Sequence, residues 1–134
     1  MATILISEPD PQVQRMLERM AARLGHQPIA VRIPAPFHLT SADVLLAELA
    51  DPLAMVCAQA VQIANPSVAI VCASVTGPPA ELAELGIELE AYLVKPFSSG
   101  QLDAVIRQAL ADRPDVDRRG ADDQPSERDR RHAA

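Results

Sequence analysis

The sequence predicts an α/β domain: a five-stranded parallel sheet with helices on both faces. Three observations carry this expectation. Five short aliphatic runs recur along the chain, and the segments between them hold helical patterns or turn signals. The runs are continuously apolar rather than alternating, as strands covered on both faces are. At 134 residues, without internal repeats, the chain is expected to form one domain with right-handed crossovers.

The elements follow in order. Thr3 to Ser7 is a short apolar run ending in acid, a buried strand. Asp10 offers a helix N-cap, and Pro11 stands at the first helical position, where its missing N–H is no loss. Val13, Met16, Leu17, Met20 and Leu24 fall on one helical face, and Gly25 supplies the stop. Pro28 to Val31 is a second strand. Arg32 to Thr40 carries Pro34 and Pro36, which discourage a regular helix, so a loop or a single turn is expected. Val44 to Ala47 is a third strand and runs straight into Glu48.

After Pro52, Leu53 to Ala64 is apolar nearly all round, the pattern of a helix pressed deep against a sheet. Ser67 to Ala73 is a fourth strand, followed by Ser74, Val75, Thr76 and Gly77. Pro78 and Pro79 open a short helix through Leu85, closed by Gly86. Ala91 to Val94 is the fifth strand. Ser98 and Gln101 form a capping box, and Leu102, Val105, Ile106, Ala109 and Leu110 make the inward stripe of a last helix.

Composition narrows the function classes. Hydrophobic residues make up 49% but aromatics only 2%, so the core must be aliphatic. Cys57 and Cys72 lie in apolar surroundings without CxxC spacing and read as small buried hydrophobes. No apolar stretch approaches the roughly 20 residues of a membrane span, and no basic-then-apolar leader precedes the first strand. A cytoplasmic protein without membrane contact is expected. The formal charge of −6 argues against a nucleic-acid surface. From Asp112 to Ala134, arginines alternate with acidic residues and few apolar ones, so a disordered charged tail is expected after a domain of residues 1–111. His26, His38 and His132 are scattered and expected at the surface, with no metal spacing and no nucleophile dyad.

The chemistry gathers at the strand ends. In a parallel sheet all carboxyl ends open on one edge, where such sheets bind ligands. The first strand delivers Glu8, the third Glu48, the fourth Ser74 and the fifth Lys95. Lys95 is the only lysine of the chain; arginine supplies the rest of its twelve basic residues. A compact ammonium can reach into a pocket and meet an oxyanion as a point charge.

Over residues 2–111 the chain resembles the receiver domain of bacterial two-component response regulators, a flavodoxin-like (βα)5 fold. The resemblance rests on Ile4-Leu5-Ile6-Ser7-Glu8-Pro9-Asp10-Pro11, on Val44-Leu45-Leu46-Ala47-Glu48 with Pro52, on Ser74, and on Tyr92-Leu93-Val94-Lys95-Pro96-Phe97. It implies the strand order 2-1-3-4-5, here with the second helix shortened or replaced by a loop. In that family an aspartate ending the third strand accepts a phosphoryl group from a histidine kinase, an acidic pair after the first strand binds Mg²⁺, and the lysine contacts the phosphoryl oxygens. Ser74 and Tyr92 match the two switch residues, and Pro96 matches a proline usually preceded by a cis bond. The face of the fourth helix, fifth strand and fifth helix is where such domains dimerise or dock protein partners.

The departures shape the expected function. Glu48 stands at the phosphoacceptor position, one methylene longer than aspartate. The acidic pair becomes Glu8 and Pro9, and Pro9 falls where the main Mg²⁺ carboxylate would be, so Mg²⁺ binding is expected to be weak or absent. Without metal, phosphoryl transfer loses its charge neutralisation. Glu48, alone or with Glu8, is instead expected to pair with Lys95. The reading is a stand-alone atypical receiver, not an enzyme, acting through contacts with a histidine kinase, a downstream effector or a second copy. An alternative is a conventional acceptor using Asp51 or Glu48, although Asp51 lies beyond the strand end and Asp10 is a helix cap. A small flavodoxin-like nucleotide-binding protein or enzyme belongs to another class, and neither GxGxxG nor a P-loop supports it.

Overall fold

The computed structural model describes residues 1–32 and 40–112. Five parallel strands form one sheet: β1 (Thr3–Ser7), β2 (Gln27–Ala30), β3 (Val44–Ala47), β4 (Ala69–Ser74) and β5 (Leu89–Val94), in the order β2-β1-β3-β4-β5. Among the described residues there are three α-helices: α1 (Pro11–Arg23), α2 (Pro52–Ala64) and α3 (Ser99–Ala111). None is long and apolar enough to cross a membrane.

Side chains alternate across each strand and so build two cores. Leu5, Leu45, Ala47, Ile70 and Cys72 face α2, whose Ala54, Cys57, Ala58 and Val61 close over them. Ile4, Ile6, Leu46, Val71 and Ala73 face the other way, against Leu17 and Ala21 of α1 and Leu102, Ile106 and Ala109 of α3. Each helix starts on a side-chain cap. Asp10 accepts from Gln12 N, Asp51 from Ala54 N, and Ser98 exchanges both capping-box bonds with Gln101.

Several expectations need correction. The segment after Pro78-Pro79 is not a helix through Leu85 but a single 3₁₀ turn, Ala80–Leu82, followed by a non-helical turn that reaches Gly86, with φ +75°. So few residues gain too few hydrogen bonds to offset helix nucleation. Helix α2 is not buried all round: Val56 is 59% exposed and Ile63 81%. A helix lying on a sheet can bury only the face that meets it. Met16 is likewise exposed, with Ala21 taking the inner position beside Leu17. The fourth strand runs on through Ser74, and the fifth begins at Leu89.

His26 is half-buried rather than superficial. Its Nδ1 accepts from Ala2 N at 3.1 Å, and burial, with the nearby amino terminus, lowers its pKa from the ordinary 6.5. The loop expected at Arg32 to Thr40, with its shortened second helix, falls mostly outside the described residues; Thr40 and Ser41 at its edge are helical. His38, His132 and the expected tail beyond Asp112 also lie outside them.

Candidate functional site

The register of the sheet sets the site. Ser7 pairs with Ala47, so β1 and β3 end level, and Glu8 and Glu48 leave the sheet side by side. Glu48 N donates to Ser7 O at 3.0 Å. Strands β4 and β5 run further, with Ser74 paired to Val94 and Lys95 N donating to Ser74 O at 3.0 Å. Lys95 thus starts two strand spacings from β3, about 10 Å away. A long side chain from each side closes that gap. Lys95 Nζ donates to Glu48 Oε1 at 2.8 Å and to Glu8 Oε1 at 2.5 Å. The Lys95–Pro96 bond is cis.

The resulting triad is sheltered: the side chains of Glu8, Glu48 and Lys95 are 3%, 12% and 16% exposed. The remaining carboxylate oxygens also have partners. Glu8 Oε2 accepts from Asp10 N at 3.1 Å, and Glu48 Oε2 from Ala50 N at 3.3 Å. Burial by itself would lower the Lys95 pKa. Hydrogen bonds from Lys95 to Glu48 and Glu8, with the charges of both, outweigh it and hold the ammonium above its ordinary 10.5. Two carboxylates against one ammonium leave a formal charge of −1 in the triad.

The residues gathered here do not fit a hard divalent cation. Such an ion needs several oxygens in near-octahedral array. Pro9 brings no side-chain oxygen, and Glu8 and Glu48 already share Lys95. Among the described residues no group of three His, Cys, Asp or Glu could hold a metal. Asp51 is committed elsewhere: it caps α2 through Ala54 N at 3.0 Å and pairs with Arg32 Nη2 at 3.2 Å. Asp10 caps α1.

Ser74 and Tyr92 stand apart from the triad. Ser74 is fully buried, and its Oγ shares a hydrogen bond with Thr76 Oγ1 at 3.2 Å and accepts from Thr76 N at 3.3 Å. Tyr92 is half-buried against the α2-side core. Its hydroxyl lies beside Gly77, whose φ of +97° turns the loop over the ring. The sequence reading did not single out Thr76 or Gly77. Their signal is a hydroxyl two residues after another, then a glycine where the chain must turn. Next to this loop opens a groove of about 530 Å³, lined by Leu49, Pro52, Met55, Pro78, Pro79 and Leu85 among others.

Cys57 and Cys72 are buried free thiols. Burial pushes both pKa values up, more than the Arg32 charge at Cys57, or the Leu49 backbone at Cys72, pulls them down. The dimer surface implied by the resemblance loses one of its three parts, because a 3₁₀ turn replaces the fourth helix. What stands there is an edge strand with Val94 exposed, preceded by a turn with Leu85 exposed.

No protein-family model and no curated protein matches this chain. Solved structures do. A response regulator receiver domain protein from Clostridium thermocellum superposes with TM-score 0.66 at 15% identity, over 85% of this chain and 98% of that one. The chemotaxis protein CheY4 of Vibrio cholerae gives 0.67 at 18% identity, over 82% and 99%. The receiver domain of a sensor histidine kinase from Pseudomonas aeruginosa PAO1, solved with magnesium in its active site cleft, gives 0.63 at 19% identity, over 81% and 98%. At these identities the likeness speaks for the fold: this chain has the five-stranded, parallel, 2-1-3-4-5 architecture of response regulator receiver domains.

Proposed function

We propose that this chain is a cytoplasmic receiver-type module of two-component or phosphorelay signalling, set by a built-in ion triad rather than by phosphorylation. The observation that carries the reading is Lys95 Nζ bridging Glu8 and Glu48. In a receiver pocket, a lysine at this place would meet phosphoryl oxygens; here two resident carboxylates take both contacts. An attacking carboxylate would have to give up that ammonium, and Pro9 supplies no ligand for the metal that would offset the incoming charge. Mg²⁺ binding is accordingly weak or absent.

The module is not itself an enzyme. It acts by protein–protein contact with a histidine kinase or a downstream effector. The partner docks on the edge formed by β5, the 3₁₀ turn and α3, where Val94 is 53% exposed and Leu85 39%. The acidic chain is a poor match for nucleic acid.

Amide NMR of the full chain tests this directly. Adding Mg²⁺, then beryllofluoride or acetyl phosphate, should leave Glu48, Ser74 and Lys95 unmoved. Saturable shifts at those three residues would establish a working acceptor site and overturn the reading.

A further inference from the structure

We propose that the outward face of α2 is a self-association surface on which a second copy of this chain packs, helix against helix. The proposal is independent of how the triad works. Helix α2 buries Ala54, Cys57, Ala58 and Val61 against the sheet. Its opposite side carries Leu53, Val56, Ala60 and Ile63, at spacings of three, four and three residues, as the a and d positions of a coiled-coil seam are spaced. Leu53 is 36% exposed, Val56 59% and Ile63 81%, so the seam is open along its length.

Charge identifies the occupant. Between Asp51 and Glu81 the sequence holds no Asp, Glu, Lys or Arg, in a chain where such residues make up 22%. On the helix the seam is flanked by Gln59 on one side and Ala64 on the other, while Gln62 turns away to Gly86 O and Glu88 N. Two copies of a chain with formal charge −6 repel one another over most approaches. This face is where they can meet without bringing like charges together. An anionic membrane would need basic residues along the stripe; α2 itself carries none, and Arg32 at its start is paired with Asp51. A charged partner helix would find no counter-charge on α2 between Pro52 and Ala64. A matching uncharged seam is what a second copy offers, and a two-fold axis near Ala60 sets Val56 against Ile63.

Area sets the strength. One helix of 13 residues offers less than the roughly 800 Å² per partner of a standard interface, so the dimer is weak and exchanging. Pro52 and Met55 continue the apolar surface into the adjoining groove, which Glu81 borders on its far side.

Sedimentation velocity of the full chain, from about 10 µM to about 1 mM, reads this range of weak association. The wild-type chain should pass from monomer to dimer. Ile63→Lys and Val56→Lys should each raise the dimer Kd at least about tenfold, with thermal unfolding unchanged because both side chains are already largely in water. Val94→Lys, on the edge strand, should leave the dimer intact. In the wild-type chain, amide shifts that depend on concentration should cluster between Leu53 and Ala64, a readout that needs no variant. A wild-type chain that stays monomeric throughout overturns the proposal. So does a dimer that survives both α2 substitutions, or one that Val94→Lys abolishes.

Discussion

Two regions at the carboxyl edge of the sheet do opposite things with their polar groups. The triad joins residues far apart in sequence, Glu8, Glu48 and Lys95, and every carboxylate oxygen in it has a partner. Ser74 and Tyr92 are settled locally, by Thr76 two residues on and by the turn at Gly77. No side-chain bond of Ser74 reaches Glu48 or Lys95. A long-range charge cluster ties three strand ends together, whereas a local hydroxyl turn shapes only its own loop. The difference separates what holds the site from what could report on it.

The sharpest way to break the triad is Lys95→Met. The methionine keeps most of the length and removes the charge, leaving Glu8 and Glu48 to face each other. Stranding a partner of a buried ion pair destabilises by about 3–5 kcal/mol, and partial access of water here reduces the expected loss to about 2–3 kcal/mol. Urea unfolding measures it. Loss below about 0.5 kcal/mol would mean that the bridge contributes no more than an exposed surface pair.

The same pair has a pH signature. The Lys95 pKa is raised in the folded protein, so its contribution to stability is complete below the unfolded value of 10.5 and is lost as pH rises through the folded value. The advantage of wild type over Lys95→Met should therefore be flat from neutral pH to about 10 and shrink above it. A difference that instead grows on the alkaline side would contradict the direction of the shift.

The triad was legible in the sequence because parallel strands fix where their ends go. Once Ser7, Ala47 and Val94 are strand ends, Glu8, Glu48 and Lys95 must share an edge. That Glu8 joins the pair between Glu48 and Lys95 at equal rank was open, since side-chain reach depends on register. Exposure on α2 was not legible. Hydrophobic pattern locates a buried face by contrast with a polar one, and Leu53 to Ala64 offers little contrast, so Ile63 reads like Val61 although one is 81% exposed and the other fully buried. The 3₁₀ turn was hidden for a related reason: Pro79 and Gly86 mark both ends of a helix but say nothing of whether six residues can pay for nucleation.

The local region is tested at Gly77. Its φ of +97° is strained for any residue with a Cβ, while the nearest atom to an added methyl, the Tyr92 hydroxyl, lies at an ordinary 3.5 Å. Gly77→Ala should thus lose about 1–2 kcal/mol through the backbone alone. Relaxation of the turn would release Tyr92, so fluorescence of the single tyrosine should change as well. Unfolding measurements that show the full loss with unaltered tyrosine emission would separate the turn from the ring.

Ser74→Ala should have the smallest effect and bears most directly on whether the two regions are independent. The hydroxyl leaves Thr76 N without an acceptor, but that bond is long at 3.3 Å and Thr76 is exposed, so water can replace it. About 0.5–1 kcal/mol is the expected loss. The Ser74 carbonyl is untouched, so Lys95 N keeps its acceptor and the start of the lysine side chain stays in place. The Lys95 Nζ resonance and the alkaline limb of stability should match wild type. If either moves, the hydroxyl turn communicates with the triad through the backbone bond between Lys95 and Ser74, and the carboxyl edge is one cooperative unit instead of two neighbours.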